Sequence, residues 1–180
     1  MKISPVYQTI EDRNNPNEVE ANGPILGEYK PWLGVGYYFW DGFIDNAHWW
    51  GEAHVKKDYM ICHASIEVED DYILDLHGNP EHMQYFSKTL KLVADELKKD
   101  KLTISEAFAY LRKKSESFVY KVIRAESPDC GSPTETYPFV DGHKSRLNLI
   151  KPIQICAFDK NCVVEYTVIY PDYYNHEWLG

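Results

Sequence analysis

Two hydrophobic periods divide this chain, and their order limits what it can fold into. Apolar and β-branched residues dominate 59–68 (YMICHASIEV), 72–76 (YILDL), 118–125 (FVYKVIRA), 153–158 (IQICAF) and 163–170 (VVEYTVIY), and each run reads as a strand. Between the second and third runs the period changes. Met83, Phe86, Leu90, Val93 and Leu97 recur at steps of three and four behind Asn79-Pro80, which is a helix start. Thr103 and Glu106 then match a capping box, with Ile104, Ala107, Phe108 and Leu111 as the apolar face of a second helix. Strands on both sides of an amphipathic helical pair predict an α+β fold whose helices are inserted between sheet segments. Asp159-Lys160-Asn161 separates the last two runs and predicts a hairpin.

The N-terminal third is less regular. Residues 4–10 read as a strand, and 12–31, rich in Asn, Pro, Gly and Glu without a period, read as a long loop. From Leu33 two glycines, Gly34 and Gly36, lead into an aromatic strand at 37–40. Phe43, Ile44, Ala47 and Trp50 follow at helical spacing. With 180 residues, 44% of them apolar and 26% charged, the chain is expected to form one domain, 1–180, with a full core.

Composition excludes several classes of function. The formal charge of −9 gives no general attraction to phosphate backbones, and Lys144, Arg146 and Lys151 form the one basic cluster, read as a solvated loop. No apolar run approaches the roughly 20 residues that span a bilayer, and the N-terminus does not resemble a signal peptide, so a cytoplasmic protein without membrane contact is expected. Cys62, Cys130, Cys156 and Cys162 form no C-x-x-C pair and read as buried reduced thiols. The pairs His48/His54 and His77/His82 do not align on a helix face, and no metal is expected. Phosphate-binding P-loop, G-x-S-x-G and H-E-x-x-H motifs are absent from the sequence.

The composition is unusual in its 14 Tyr, 7 Phe and 5 Trp. Bunched aromatics serve a demanding core or a stacking pocket. The segment GVGYYFWDGFIDNAHWW at 34–50 concentrates them behind glycines that allow close backbone approach. This segment resembles the second core motif of the ADP-ribosyltransferase superfamily, G-x-G-x-Y-F followed by a helix with Ala and an aromatic pair. In families with a His-Tyr-Glu signature, such as the poly(ADP-ribose) polymerases and diphtheria-toxin-like enzymes, the matching Tyr stacks on nicotinamide. Tyr38 takes that position, and Ala47, His48 and Trp49 follow in register.

The resemblance implies a split β-sheet and NAD as substrate. The implied binding residues are Gln8, Thr9, Gly34, Gly36, Tyr37, Tyr38 and Trp49. The first motif of the superfamily has His or Arg after Tyr, whereas this chain has Gln8 after Tyr7. An amide there could still bond a ribose hydroxyl or the nicotinamide carboxamide. The third motif, which supports the cationic ribosyl carbon, falls on Gln154 or on Glu165, and a carboxylate is the stronger stabiliser of positive charge. Tyr38, Glu165 and Gln154 are therefore the candidate catalytic residues. The implied activity is transfer of ADP-ribose to a protein or nucleic-acid acceptor, or cleavage of NAD, in a setting such as a toxin or defence effector. Two other readings stand beside it: a catalytically inactive module that binds a nucleotide, or a protein through the aromatic tail PDYYNHEWLG, and an unrelated α+β protein in which these aromatics pack a core. Under the last, Glu165 marks the solvent face of an edge strand and Gln154 is a buried amide.

Overall fold

The computed structural model describes residues 1–27, 31–114, 118–128, 131–142 and 144–174. Its centre is a seven-stranded, mostly antiparallel sheet with the order β4-β5-β8-β2-β1-β3-β9. The strands are β1 (Lys2–Glu11), β2 (Tyr37–Asp41), β3 (Tyr59–Glu67), β4 (Ile73–Asp75), β5 (Val122–Glu126), β8 (Ile153–Ala157) and β9 (Val163–Tyr170). Among the described strands only β4 and β5 run parallel, and the helices α3 (Pro80–Leu97) and α4 (Ile104–Lys114) lie in the crossover between them. Among the described residues, no helix is long and apolar enough to cross a membrane.

The capping signals work as their residue types require. Asn79 Oδ1 accepts from the N–H groups of Glu81 and His82, and Thr103 and Glu106 exchange bonds reciprocally at the start of α4. Phe86 and Val93 of α3 and Phe108 and Leu111 of α4 then bury against Leu74, Ile123 and Cys156 of the sheet. Helix α2 (Ile44–Trp50) follows β2 and continues into a wider π-type turn, Gly51–Val55. It packs Ala47 against Trp40 and Ile61.

Three expectations are corrected. The segment 12–31 contains a short helix, α1 (Pro16–Asn22), which buries Val19 against Met60, Cys62 and Val168. Pro at its start supplied a helix signal that the surrounding polar residues masked. The strands β8 and β9 are not a hairpin: β8 lies between β5 and β2, while β9 pairs with β3 at the far edge. The 3₁₀ turn at Lys160–Cys162, with Asp159 accepting from Asn161 N–H, carries the chain across instead of reversing it. Finally, part of the loop before β8 forms a two-stranded ribbon, β6 (Thr136–Pro138) and β7 (Arg146–Asn148).

The seam between β1 and β2 matters most for function. The two strands share two register pairs, Val6↔Asp41 and Tyr7↔Trp40. Beyond them β1 continues along β3 to Glu11, while β2 continues along β8. Inner residues of both halves, Val6, Ala64 and Ile66 from one and Phe39, Val122 and Ile155 from the other, pack in one cluster.

Candidate functional site

A cleft of about 640 Å³ opens where β1 and β2 part. One wall carries Gln8, Thr9 and Glu11 of β1, and the other carries Tyr38 and Trp40 of β2 with Gln154 of β8. Trp40 and Gln154 are register partners, so both side chains stand on one face of the sheet. Trp32 and Trp50 add two more indoles. A cavity of this size and lining is of the class that takes small-molecule ligands.

The polar groups are held firmly. Trp32 Nε1 donates to Gln154 Oε1 at 2.7 Å, which fixes the amide against the indole. Thr9 Oγ1 donates to Ala47 O at 2.7 Å. The Tyr38 hydroxyl accepts from Leu33 N–H at 2.9 Å and donates to Gly34 O at 2.8 Å. Burial, and then the neighbouring Cys156 thiol, pushes the Tyr38 phenol well above its ordinary range, so it stays protonated. The Cys156 thiol is itself pushed up to about 12, chiefly by burial. Cys62, Cys156 and Cys162 are buried free thiols, and Cys130 lies outside the described residues.

At the mouth, Glu11 meets two cations: Lys57 Nζ at 2.7 Å and Arg13 Nη2 at 3.1 Å. The hydrogen bond from Lys57, followed by that from Arg13, lowers the Glu11 carboxyl below its ordinary value. Among the described lining residues, two positive charges stand against one negative, an excess suited to an anionic ligand group. Among the described residues, no group of three or more His, Cys, Asp or Glu side chains could hold a metal ion.

Of the residues singled out from sequence, Gln8, Thr9, Tyr38 and Gln154 come together at the cleft, and five others do not line it. Glu165 is exposed on β9, where its carboxylate accepts from Ser65 Oγ at 2.6 Å and Lys2 Nζ at 3.0 Å; those two bonds, Ser65 first, lower its pKa. Tyr37 points to the opposite face from Tyr38 and packs on the inner cluster. Trp49 packs edge-on against Trp40 and His54. Gly36 is small for a structural reason: an added Cβ would lie 2.6 Å from Cys156 Sγ and 2.7 Å from Ala157 O. Gly34 has φ +108 and sits beside Arg112, a conformation that favours glycine. The close approach these two glycines permit is therefore to β8 and α4.

Arg124, the basic residue of β5, is held in a structural ion pair: it bonds Asp41 and Asp75. Sequence reasoning missed Trp32, Trp40, Arg13 and Lys57 as cleft residues, and of the adjacent Trp49 and Trp50 it put the wrong one in the binding set. The aromatic run offered a signal for Trp40 and Trp50, but nothing local marks Arg13 or Lys57, which meet only across the fold. The tail residues 175–180 and His143 lie outside the described residues.

No protein-family model matches this chain, and neither a curated protein nor a solved structure does.

Proposed function

We propose that this is an NAD-binding, ADP-ribosyltransferase-like protein whose sheet is the split sheet of that superfamily, with the dinucleotide received between its halves. The observation that carries the reading is the convergence of Gln8, Thr9, Tyr38 and Gln154 on one cleft at the β1/β2 seam, from three strands far apart in sequence. The chemistry of the walls fits such a ligand. A dinucleotide has two flat heteroaromatic ends joined by an anionic diphosphate; Trp32, Trp50 and Tyr38 offer rings, and Arg13 and Lys57 offer charge. Gln154 takes the third-motif position in preference to Glu165, because it alone of the two lines the cleft.

One observation favours binding without turnover as the second reading. Among the described lining residues Glu11, engaged by two cations at the rim, is the only carboxylate, and the wall position is an amide tied to Trp32. An amide gives a cationic ribosyl carbon a dipole where a carboxylate gives a full charge. Calorimetric titration with NAD, followed by assay of released nicotinamide on the same sample, separates the readings. Binding with release supports the enzyme, and binding without release supports the module. Absence of binding at millimolar NAD refutes both.

A further inference from the structure

Gln8 uses its whole hydrogen-bonding capacity within the protein. A primary amide has two N–H donors and two acceptor lone pairs. Nε2 donates to Ile25 O at 2.8 Å and to Tyr38 O at 3.2 Å, while Oε1 accepts from Ile25 N–H at 2.9 Å and from the Tyr166 hydroxyl at 2.8 Å. No donor or acceptor is left over for a ligand. The bond to Tyr38 O spans the gap where the β1/β2 ladder has ended, and the two bonds to Ile25 capture both backbone groups of one residue. Arginine has no acceptor and imidazole has its two nitrogens on different sides of the ring, so neither could make this pair.

The captured residue belongs to a strap, 23–27, that lies across the site. Gly27 N–H donates to Gly36 O at 3.0 Å, and a Cβ at Gly27 would stand 2.8 Å from Tyr38 Cδ2. The strap backbone therefore rests on the Tyr38 ring. Pro24 anchors the start of the strap in a buried position, whereas Ile25 and Leu26 are 40% and 48% exposed, so beyond Pro24 the strap is held chiefly by its hydrogen bonds. We propose that Gln8 is a positioning residue, the latch that keeps this strap closed over Tyr38, and that a ligand reaches the ring only when the Gln8–Ile25 pair opens. The functional part of this proposal rests on the NAD reading, while the latch itself stands on the bonds just described.

The test compares the wild-type protein with Gln8→Ala by three readouts: hydrogen exchange at the Ile25 amide, hydroxyl-radical footprinting of Tyr38, and NAD titration. The latch predicts that Gln8→Ala loses Ile25 protection by about tenfold or more and gains oxidation at Tyr38. NAD binding should tighten by about threefold to tenfold, since the closed population no longer competes. A merely structural role would not tighten binding. Retained protection at Ile25, or an unoxidised Tyr38, overturns the latch; an open strap with weaker NAD binding overturns it too, because Gln8 would then contact the ligand. If NAD binds neither protein, the NAD reading fails and exchange with footprinting decides the latch. Should Gln8→Ala not fold, Gly27→Ala crowds the strap off the Tyr38 ring with Gln8 intact. It should raise Tyr38 oxidation likewise, and an unchanged footprint would overturn the proposal.

Discussion

Replacing Arg124 with Met tests how the non-β1 half of the sheet is tied together. Arg124 stands on β5 between two carboxylates: its Nε donates to Asp41 Oδ2 of β2 at 2.6 Å, and its Nη1 lies 3.2 Å from Asp75 Oδ2 of β4. The arginine side chain is 20% exposed and each aspartate 12% exposed, so water screens the group weakly. Asp75 keeps two other donors, the N–H groups of His77 and Gly78. The cost of losing the cation therefore falls mainly on Asp41, left with a desolvated charge beside a methionine. Removing one partner of a buried pair costs about 3–5 kcal/mol, and the residual exposure places this case near 3. With a urea slope of about 2 kcal/mol/M, the unfolding midpoint should fall by about 1.5 M. The assay is urea unfolding followed by tryptophan fluorescence, for Arg124→Met, Asp41→Asn and the double variant. The double variant should cost less than the two single losses together by at least about 1 kcal/mol. A loss below about 1 kcal/mol for Arg124→Met, with additive behaviour, would refute the reasoning, because the group would then behave as a surface ion pair.

Two further outcomes are expected. Gly36→Ala must push β2 away from the Ala157 carbonyl, a backbone atom that cannot swing aside, and should destabilise by about 1–3 kcal/mol in the same urea assay; a neutral result would mean that the strands are not packed this closely. Glu106 is held at about 2, first by the Lys99 ammonium and then by the N–H and hydroxyl of Thr103, against an ordinary value of 4.5. A depressed folded-state value contributes stability that is complete above the unfolded value and is lost as pH falls from about 4.5 toward 2. Glu106→Gln should therefore flatten this part of the acid-unfolding profile; an unchanged acid limb would refute the assignment.

Local signals in the chain are read correctly where a single element decides the outcome. Asn79, Thr103 and Glu106 begin helices because their side chains bond backbone groups two or three residues away, and no distant partner is needed. Phe86, Val93, Ala107, Phe108 and Leu111 are buried because the helical period sets them on one face of their helices. The pairing of strands is another matter. The short turn after Asp159 suits a hairpin by length and composition, yet β8 enters the middle of the sheet, where Ile155 and Cys156 find Phe39, Tyr38 and Ile123 as register partners or neighbours. Burial on both faces outweighs the local turn.

The candidate site divides in the same way. Tyr38 carries a resemblance, and Gln8 a departure from it, that could both be stated from the chain alone. Whether the two meet, and what each side chain is free to do, depends on contacts between segments distant in sequence. Gln8 reads as a ligand-binding amide until Tyr166, 158 residues away, and Ile25 are seen to saturate it. Glu165 reads as the stronger catalytic group until Lys2 and Ser65 claim it away from the cleft. The sequence by itself determined the α+β class, the helical caps and the aromatic strand, because periodicity and short-range hydrogen bonds act within a few residues. Only the tertiary structure decided the strand order, the seam between β1 and β2 and the membership of the cleft, because each is the product of non-local pairing in which buried area outweighs local preference.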